Sequence, residues 1–414
     1  MSVPLDRLYH YLADCVNHDL LIYRWSPHGS KKLEDLDQFV DYQSVDWNNL
    51  PIAIFHDQEP LKFDLWSTQQ FYKQAAWRFH QVTTKTMLDP AILATAKTML
   101  NPAILAYAAT LHLRGAIAQV NNIYDLTILI HSEQQSQQVD MFQQNGFVPV
   151  YYWCHAVIAL DWFRYAANDP KLNFDNENYD YDFLIYNRAW GGTREYRLCF
   201  ADKLISADLV TNCKTSFNPV DQEQHYTKHN FQNRNFFPQN SNIENWFDLN
   251  THSAAHSADY NCEDYGLSGI EIVLETLFDD TRWHLTEKTL RPIACGKPFI
   301  LASTPGSLQY LRNYGFKTFQ GLIDETYDTV TDPCLRLDAI INEMKRIINL
   351  DPQQKTQLYL QLDIICQYNK QHFFNNLFDI VVNEYKTNMD QAIDIMSNNK
   401  TELHPMNIQK LLVE

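Results

Sequence analysis

The residues best suited to hold an anion lie in the segment IEIVLETLFDDTRWHLTEKTLRPIACGKPF, which begins at Ile270. The apolar and partly β-branched run Ile270–Leu274 predicts a buried strand. Thr286 can cap the helix that follows, and a carboxylate at Glu287 is favourable in its first turn. Lys288 opposes the helix dipole there. Its position is better explained by a bound anion that also uses the free N–H groups of the helix.

Further candidates for phosphate contact are Arg188, Arg194 and Arg197, which follow the strand-like run Tyr181–Tyr186. The Gly191-Gly192 pair among them supplies a flexible turn before the next helix. An arginine can hold a diphosphate by two parallel hydrogen bonds, so this cluster fits a phosphate site. The alternative is a surface helix with Arg194 and Arg197 on its solvent face.

A glycine-rich phosphate loop is missing from the chain. Neither GxGxxG nor GxxxxGK[ST] occurs, and only 11 residues are glycine. This argues against a dehydrogenase and against a P-loop ATPase. We therefore expect phosphates to be held by side chains and by a helix terminus.

The order of strand, Thr-Glu-Lys at a helix start and Gly-x-Pro before the next strand resembles the donor-sugar subdomain of GT-B glycosyltransferases. It is most similar to the α1,3-fucosyltransferase pattern. The matching residues are Glu275, Thr286, Glu287, Lys288, Gly296 and Pro298. The resemblance spans roughly residues 180–320 and departs from the family at Thr276, where the family has asparagine.

This resemblance implies that Glu287 and Lys288 bind the ribose and the diphosphate of a nucleotide sugar. It also implies that Arg194, with Arg188 as the next candidate, contacts the phosphates. We assign Glu275 and Thr286 to the same donor-binding set. The alternative is an ordinary capped helix with a solvated lysine.

The first half of the chain has three strand-like apolar runs, Pro51–Phe55, Leu126–Ile130 and Phe147–Trp153. A polar helix is expected between the second and third runs, so strands alternate with helices and predict a parallel sheet. Ligand groups in such sheets collect beyond the carboxyl ends of the strands. Polar residues at these ends are His56, Asp57, Glu59, His131, Glu133 and His155.

An inverting sugar transfer needs a base for the acceptor hydroxyl. Asp57 and Glu59 are the catalytic candidates, because Pro60 favours an extended approach at the strand end. Glu133 and Asp161 are weaker candidates; Asp161 could instead form an ion pair within a helix. Asp57 could also belong to a hydrogen-bonded turn.

We expect no metal and no cofactor besides the nucleotide sugar. The adjacent Asp279 and Asp280 could suggest a metal site, but two neighbouring aspartates are common in loops. Enzymes of the resembled GT-B class usually work without metal.

The predicted fold is α/β of the GT-B type, with two Rossmann-like domains facing across a cleft. We assign residues 1–170 to the acceptor-side domain and residues 180–350 to the donor-binding domain. Residues 351–414 are expected to form helices that pack back on the first domain, helical throughout from Gln353 to Ile395. A polar linker is expected at Ala166–Asn178, and the tandem repeat Lys85–Ala108 is interpreted as a local helical insertion.

Composition favours a soluble cytoplasmic protein. Eight cysteines are scattered without CxxC spacing, and no apolar run approaches a membrane span. The amino-terminal residues carry Asp6 and Asp14 and do not resemble a secretory signal. The net charge of −17 opposes non-specific binding to nucleic acid but does not exclude a local basic groove.

The acceptor is suggested by a wider resemblance to phage-encoded glycosyltransferases, which would place the protein in the host cytoplasm. Such enzymes modify hydroxylated pyrimidines in double-stranded phage DNA or decorate surface glycans. We expect residues 214–239 to form a loop that mixes cations with aromatic rings for base stacking. Its cations are Lys214, Lys228 and Arg234, and its rings are Phe217, Tyr226, Phe231, Phe236 and Phe237.

The expected acceptor-side residues also include His56, His155 and Asp161. Three alternatives remain: a partly buried loop at 214–239, an enzyme that builds surface or lipid-linked glycans, and a non-catalytic nucleotide-binding protein of GT-B shape.

Overall fold

The computed structural model describes residues 11–12, 15, 21–25, 33–35, 52–56, 60–64, 127–145, 147–174, 179–240, 242–249 and 259–398. The chain divides into two compact units. The first-sheet unit consists of Asp6–His131, Gln137–Tyr152 and Val382–Glu414. The second-sheet unit consists of Met1–Leu5, Ser132–Ser136 and Trp153–Val381.

The first-sheet unit contains a five-stranded sheet in the order β2-β1-β3-β4-β5. β2 pairs antiparallel with β1, and the other neighbours are parallel. Helix α1 (Gln137–Gln144) connects β4 to β5. The strands are β1 (Leu21–Trp25), β2 (Leu33–Asp35), β3 (Ile52–His56), β4 (Thr127–His131) and β5 (Phe147–Tyr151).

The core of this unit follows from the apolar character of its central strands. Residues 128–130 of β4 are buried, and Phe142 of α1 packs edge-on against Phe147 of β5. Residues of the helix Leu377–Asn398, in the C-terminal part of the unit, contact the carboxyl end of β5. There the ring of Tyr385 lies 5.4 Å from that of Tyr152, and Asn388 Nδ2 donates to the carbonyl of Tyr151 at 2.8 Å.

The second-sheet unit contains a second five-stranded sheet and a short antiparallel hairpin. Its strands are β6 (Tyr181–Asn187), β7 (Cys213–Phe217), β8 (Val220–Asp221), β9 (Gln224–His225), β10 (Asp248–Leu249), β11 (Ser268–Leu274) and β12 (Phe299–Ala302). The helices that begin in it are α2 (Cys154–Trp162), α3 (Tyr196–Ser206), α4 (Cys262–Leu267), α5 (Glu287–Cys295), α6 (Ser307–Asn313), α7 (Pro333–Ile348), α8 (Pro352–Asn375) and α9 (Leu377–Asn398).

The second sheet is wholly parallel, in the order β10-β7-β6-β11-β12. If its strands are renumbered along the chain, this order reads 3-2-1-4-5, as in a doubly wound nucleotide-binding domain. The strand order reverses between β6 and β11. Ligands of such sheets bind in the crevice beyond the carboxyl ends of these two strands. The topology therefore points to the residues that follow Asn187 and Leu274.

Most of the elements expected from sequence are present. All seven residues of β11 are buried, as its apolar pattern predicts, and α5 begins after its Thr286 cap and ends at Gly296 with a φ of 71°. The molecule is a mixed α/β protein with parallel sheets. The C-terminal tail is not helical throughout, because α8 ends at Asn375 and Asn376 has non-helical dihedral angles.

Two expectations concern other regions. Residues 214–239 are not one loop: they begin in β7, continue through the β8–β9 hairpin and include short 3₁₀ turns at Tyr226–Lys228 and Arg234–Phe236. The tandem repeat Lys85–Ala108 lies outside the described residues.

Close packing of β11 against α8 makes Gly269 sensitive to substitution. A Cβ at Gly269 would lie 2.3 Å from the hydroxyl of the buried Tyr359 and within 2.8 Å of its ring. We expect Gly269→Ala to lower the free energy of unfolding by about 1–3 kcal/mol, as overpacked cores do. Denaturant titration measures this.

Gly266→Ala in α4 is the matched control. Its nearest neighbour would be 3.9 Å away, which is ordinary contact. Alanine in a helix should leave stability unchanged or raise it by up to about 1 kcal/mol. Equal losses in the two variants would contradict this account of Gly269.

Candidate functional site

A cleft of about 1260 Å³ lies at the switch point of the second sheet. Four cations line it near the carboxyl ends of β6 and β11 and the start of α5: Arg188, Arg194, Arg197 and Lys288. All four belong to the second-sheet unit. The structure thus brings together the arginine cluster and the Thr-Glu-Lys lysine, which are far apart in sequence.

The Thr-Glu-Lys turn has the conformation that its residue types predict. Thr286 Oγ1 caps α5 by accepting the N–H of Lys288 at 3.4 Å. The ammonium of Lys288 donates to Glu287 Oε1 at 2.8 Å and to Thr286 Oγ1 at 3.2 Å. The lysine side chain is 22% exposed and lines the cleft.

Glu275 is fully buried, and its carboxylate organises the start of α5. It accepts the N–H and hydroxyl of Thr286 at 3.0 and 2.8 Å, and those of Thr289 at 3.3 and 2.6 Å. The N–H of Thr276 is a fifth donor, at 3.0 Å. An anion at this helix start would therefore find the N–H groups of Thr286, Lys288 and Thr289 already engaged. This corrects the expectation of free N–H groups and leaves the side chain of Lys288 as the main donor.

Arg197 is buried rather than placed on a solvent face, which corrects the surface-helix alternative. It is 3% exposed. One terminal nitrogen donates to the carbonyl of Ala189 at 2.6 Å. The other donates to the carbonyls of Leu274 and Glu275 at 2.6 and 3.0 Å. Among the described residues, no carboxylate lies within ion-pair distance of this guanidinium, and its Nε has no hydrogen-bond partner.

Arg188 and Arg194 flank the Gly191-Gly192 turn and line the cleft half-buried. Arg188 makes no hydrogen bond or ion pair to any residue that the structure describes. The turn is held from the hairpin: Asp221 Oδ2 accepts the N–H of Trp190 at 3.0 Å and that of Gly191 at 2.7 Å. Sequence patterns gave no sign of this contact, because Asp221 is some thirty residues further along the chain.

The inner part of the cleft is a buried polar network. Arg291 pairs with Glu271 at 2.5 Å, and its guanidinium lies 4.5 Å from the ring centre of Tyr186. The Tyr186 hydroxyl donates to Asp264, which also lies 3.4 Å from the ammonium of Lys214. Burial raises the pKa of the Tyr186 phenol. Burial is also the largest single influence on the pKa of Arg291 and opposes its charge. Glu271 together with the phenols of Tyr265 and Tyr186 outweighs burial, so the pKa of that guanidinium is raised.

His155 lies beside the Thr-Glu-Lys turn, in the second-sheet unit. Its Nδ1 is 3.5 Å from Glu287 Oε2, and its ring centre is 5.1 Å from that of His284. Glu287 thus lies between an imidazole and the Lys288 ammonium. The expected acceptor-side residue and the donor motif are direct neighbours.

Two other carboxylates that the sequence analysis named, Glu133 and Asp161, form ion pairs with arginine side chains of the protein. Glu133 is buried, accepts from Ser136 Oγ at 2.7 Å and pairs with Arg282 at 3.2 Å. Asp161 pairs with Arg164 three residues on, at 3.2 Å, which is the intrahelical-type contact foreseen as its alternative.

Asp279 accepts from Asn233 Nδ2 at 2.7 Å, and Asp280 pairs with Arg282 at 2.6 Å. Within the described ranges, no group of three histidine, cysteine, aspartate or glutamate side chains is arranged to hold a metal ion.

The catalytic candidates Asp57 and Glu59 lie outside the described residues. His56 ends β3, and only its main chain is described. Their roles stay predictions.

The segment 214–239 does not form the surface expected of a base-stacking loop. Its rings Phe217, Tyr226 and Phe236 are buried and cannot stack on a ligand from solvent. Lys228 and Arg234 are exposed, and Phe237 is 52% exposed. Lys214 lies on β7 and lines the cleft.

No protein-family model matches the chain, and no curated protein is significantly similar to it. Among solved structures, an α,α-trehalose 6-phosphate synthase from Burkholderia multivorans is 9% identical, with 86% of this chain and 73% of that chain covered. The TM-score is 0.33, which does not establish a common fold. No helix in the described part of the chain is both long and apolar enough to cross a membrane.

The position of Glu275 predicts a strong effect of its substitution. Glu275→Gln replaces one acceptor oxygen by an amide that faces neutral donors. We expect a loss of about 1–3 kcal/mol in the free energy of unfolding, with weakened hydrogen-exchange protection at the start of α5. Glu263→Gln, on the exposed face of α4, is the control and should change stability by less than about 0.5 kcal/mol. Equal stability of Glu275→Gln and the unmodified protein would contradict this role.

Proposed function

We propose that the chain is a glycosyltransferase that binds the diphosphate of a nucleotide-sugar donor in the switch-point cleft. The observation that carries the proposal is Arg197. A guanidinium that is 3% exposed and meets only carbonyl oxygens has a buried charge without a neighbouring carboxylate among the described residues. A buried charge is costly unless it is paired, so a bound anion would complete this site.

The cations around Arg197 would provide the rest of the phosphate site. Arg188 and Arg194 precede α3, and Lys288 is in the first turn of α5, so they approach from both strands of the switch point. Such groups stabilise the charge that develops on a leaving nucleoside diphosphate. Glu287 is assigned to the donor ribose by the resemblance to fucosyltransferases, and Glu275 and Thr286 position the turn that carries it.

In the proposed reaction, an acceptor oxygen attacks the anomeric carbon while the bond from that carbon to the diphosphate breaks. A base, for which we retain Asp57 or Glu59, takes the proton of the acceptor hydroxyl. The transfer would invert the anomeric centre and use neither metal nor cofactor.

For the acceptor we retain hydroxylated pyrimidines in double-stranded DNA. What supports this is the resemblance to phage enzymes and the exposed cations Lys228 and Arg234 with the exposed ring of Phe237. Mass spectrometry of nucleosides, after incubation of modified and plain DNA with the donor, tests it. Sugar found on a lipid-linked or free oligosaccharide and on neither DNA would replace this acceptor with a glycan.

The donor site is tested by Lys288→Ala and Arg188→Ala. Each removes one charge-assisted phosphate contact, so affinity for the preferred nucleoside diphosphate should fall about ten- to a hundredfold, or about 1.5–3 kcal/mol. Calorimetric titration with a panel of nucleoside diphosphates measures this. Lys345→Ala, at an exposed position of α7, is the matched control and should bind like the unmodified protein.

Unchanged affinity in both cleft variants would remove the phosphate site from this cleft. Binding of a nucleotide sugar without transfer or hydrolysis, over a broad acceptor panel, would favour a non-catalytic nucleotide-binding protein.

A further inference from the structure

Asp221 accepts hydrogen bonds from two main-chain N–H groups at the position where a doubly wound domain commonly binds phosphate. In such domains the turn after the first strand presents its N–H groups to a ligand at the switch point. Here that turn follows β6, and the single oxygen Oδ2 of Asp221 accepts the N–H groups of both Trp190 and Gly191. Asp221 also lines the same cleft as Arg188 and Arg194.

The local structure accommodates this carboxylate closely. A Cβ at Gly191 would lie 3.0 Å from Asp221 Oδ2, so a residue without a side chain allows the approach. The hairpin that carries Asp221 turns through Gln222 and Glu223, whose φ angles are 48° and 64°. Such angles are uncommon for residues other than glycine, but a two-residue hairpin loop of type I′ requires a positive φ at both central residues.

The hairpin has its own anchors, independent of the carboxylate. Tyr226 directly follows β9, is 3% exposed and donates to Glu244 at 2.5 Å. On the other side of the contact, the indole N–H of Trp190 donates to the carbonyl of Asn218 at 3.0 Å. The turn and the hairpin would therefore stay together without Asp221, and its negative charge has no structural necessity there.

We propose that Asp221 is an internal anion that occupies the main-chain N–H groups of Trp190 and Gly191. It thereby limits the affinity of the cleft for phosphate-bearing ligands. This rests on the proposed phosphate site. Because these two N–H groups are occupied, a diphosphate is held by the side chains of the cleft cations alone. A nucleoside diphosphate product is then held less tightly and leaves more readily.

The test is calorimetric titration of the full chain with inorganic pyrophosphate. Asp221→Asn keeps an acceptor oxygen on the two N–H groups but removes the charge, so affinity should rise modestly. Asp221→Ala also frees the N–H pair for the ligand, and affinity should rise by about tenfold or more. In nuclear magnetic resonance spectra, the amide signals of Trp190 and Gly191 should shift on pyrophosphate addition in Asp221→Ala and much less in Asp221→Asn.

Asp248→Ala is the matched control, because it removes the same charge from the same cleft. No hydrogen bond joins Asp248 to a main-chain N–H in the described part of the chain, so its removal should raise affinity less than Asp221→Ala does. Weaker pyrophosphate binding by Asp221→Ala, with Asp221→Asn unchanged, would show that the carboxylate only positions the turn and would overturn the proposal. Absence of binding by the unmodified protein and by every variant would overturn the phosphate site together with this assignment.

Discussion

The guanidinium of Arg197 joins the carboxyl ends of the two strands between which the parallel sheet reverses its order. At a switch point the connections leave to opposite sides, so carbonyl groups at and beyond the strand ends need donors from elsewhere. Arg197 supplies donors to Ala189 on one strand end and to Leu274 and Glu275 on the other. Without it, the carbonyl oxygens of Ala189 and Leu274 would lose this donor, whereas that of Glu275 would keep the hydroxyl of Tyr196. A buried unsatisfied polar group costs about 1–3 kcal/mol. The cleft depends on this bridge for its shape and for part of its charge.

A complementary arrangement satisfies the main-chain N–H groups. The Glu275 carboxylate takes two from the first turn of α5, and Asp221 takes two from the turn after β6. These are the N–H groups that a phosphate would otherwise use. The chain has thus placed carboxylates on its main-chain donors and cationic side chains on the cleft wall. If the proposed phosphate site is correct, a glycine-poor sequence would bind phosphate with cationic side chains instead of main-chain N–H groups.

Local patterns predicted the elements well, because strand burial and helix capping depend on neighbouring residues. The run ending at Leu274, the Thr286 cap and the Gly296 stop are examples. The side-chain partnerships could not be predicted, since they join positions far apart in the chain. Arg197 reaches residues nearly eighty positions away, whereas its local sequence left open the alternative of a solvent-facing helix. The prediction that the aromatic residues of 214–239 are available for base stacking was wrong for Phe217, Tyr226 and Phe236 for the same reason. Their burial is decided by tertiary packing, which composition does not reveal.

The distribution of charge bears on what the cleft can attract. The chain carries −17 overall, whereas the described cleft lining has seven cationic and seven anionic side chains. Two of those cations, Arg291 and Lys214, are neutralised by Glu271 and Asp264 in the inner network. The cations near the strand ends therefore face a ligand in surroundings far less negative than the chain as a whole. At physiological salt, electrostatic attraction at such a site acts over a Debye length of about 8 Å. A small anion lies within that distance, whereas a polyanion also interacts with charges spread over a wider surface of the protein. On the proposed function, a small diphosphate would use the site fully, whereas a DNA acceptor would have to rely on exposed cations outside it, such as Lys228 and Arg234.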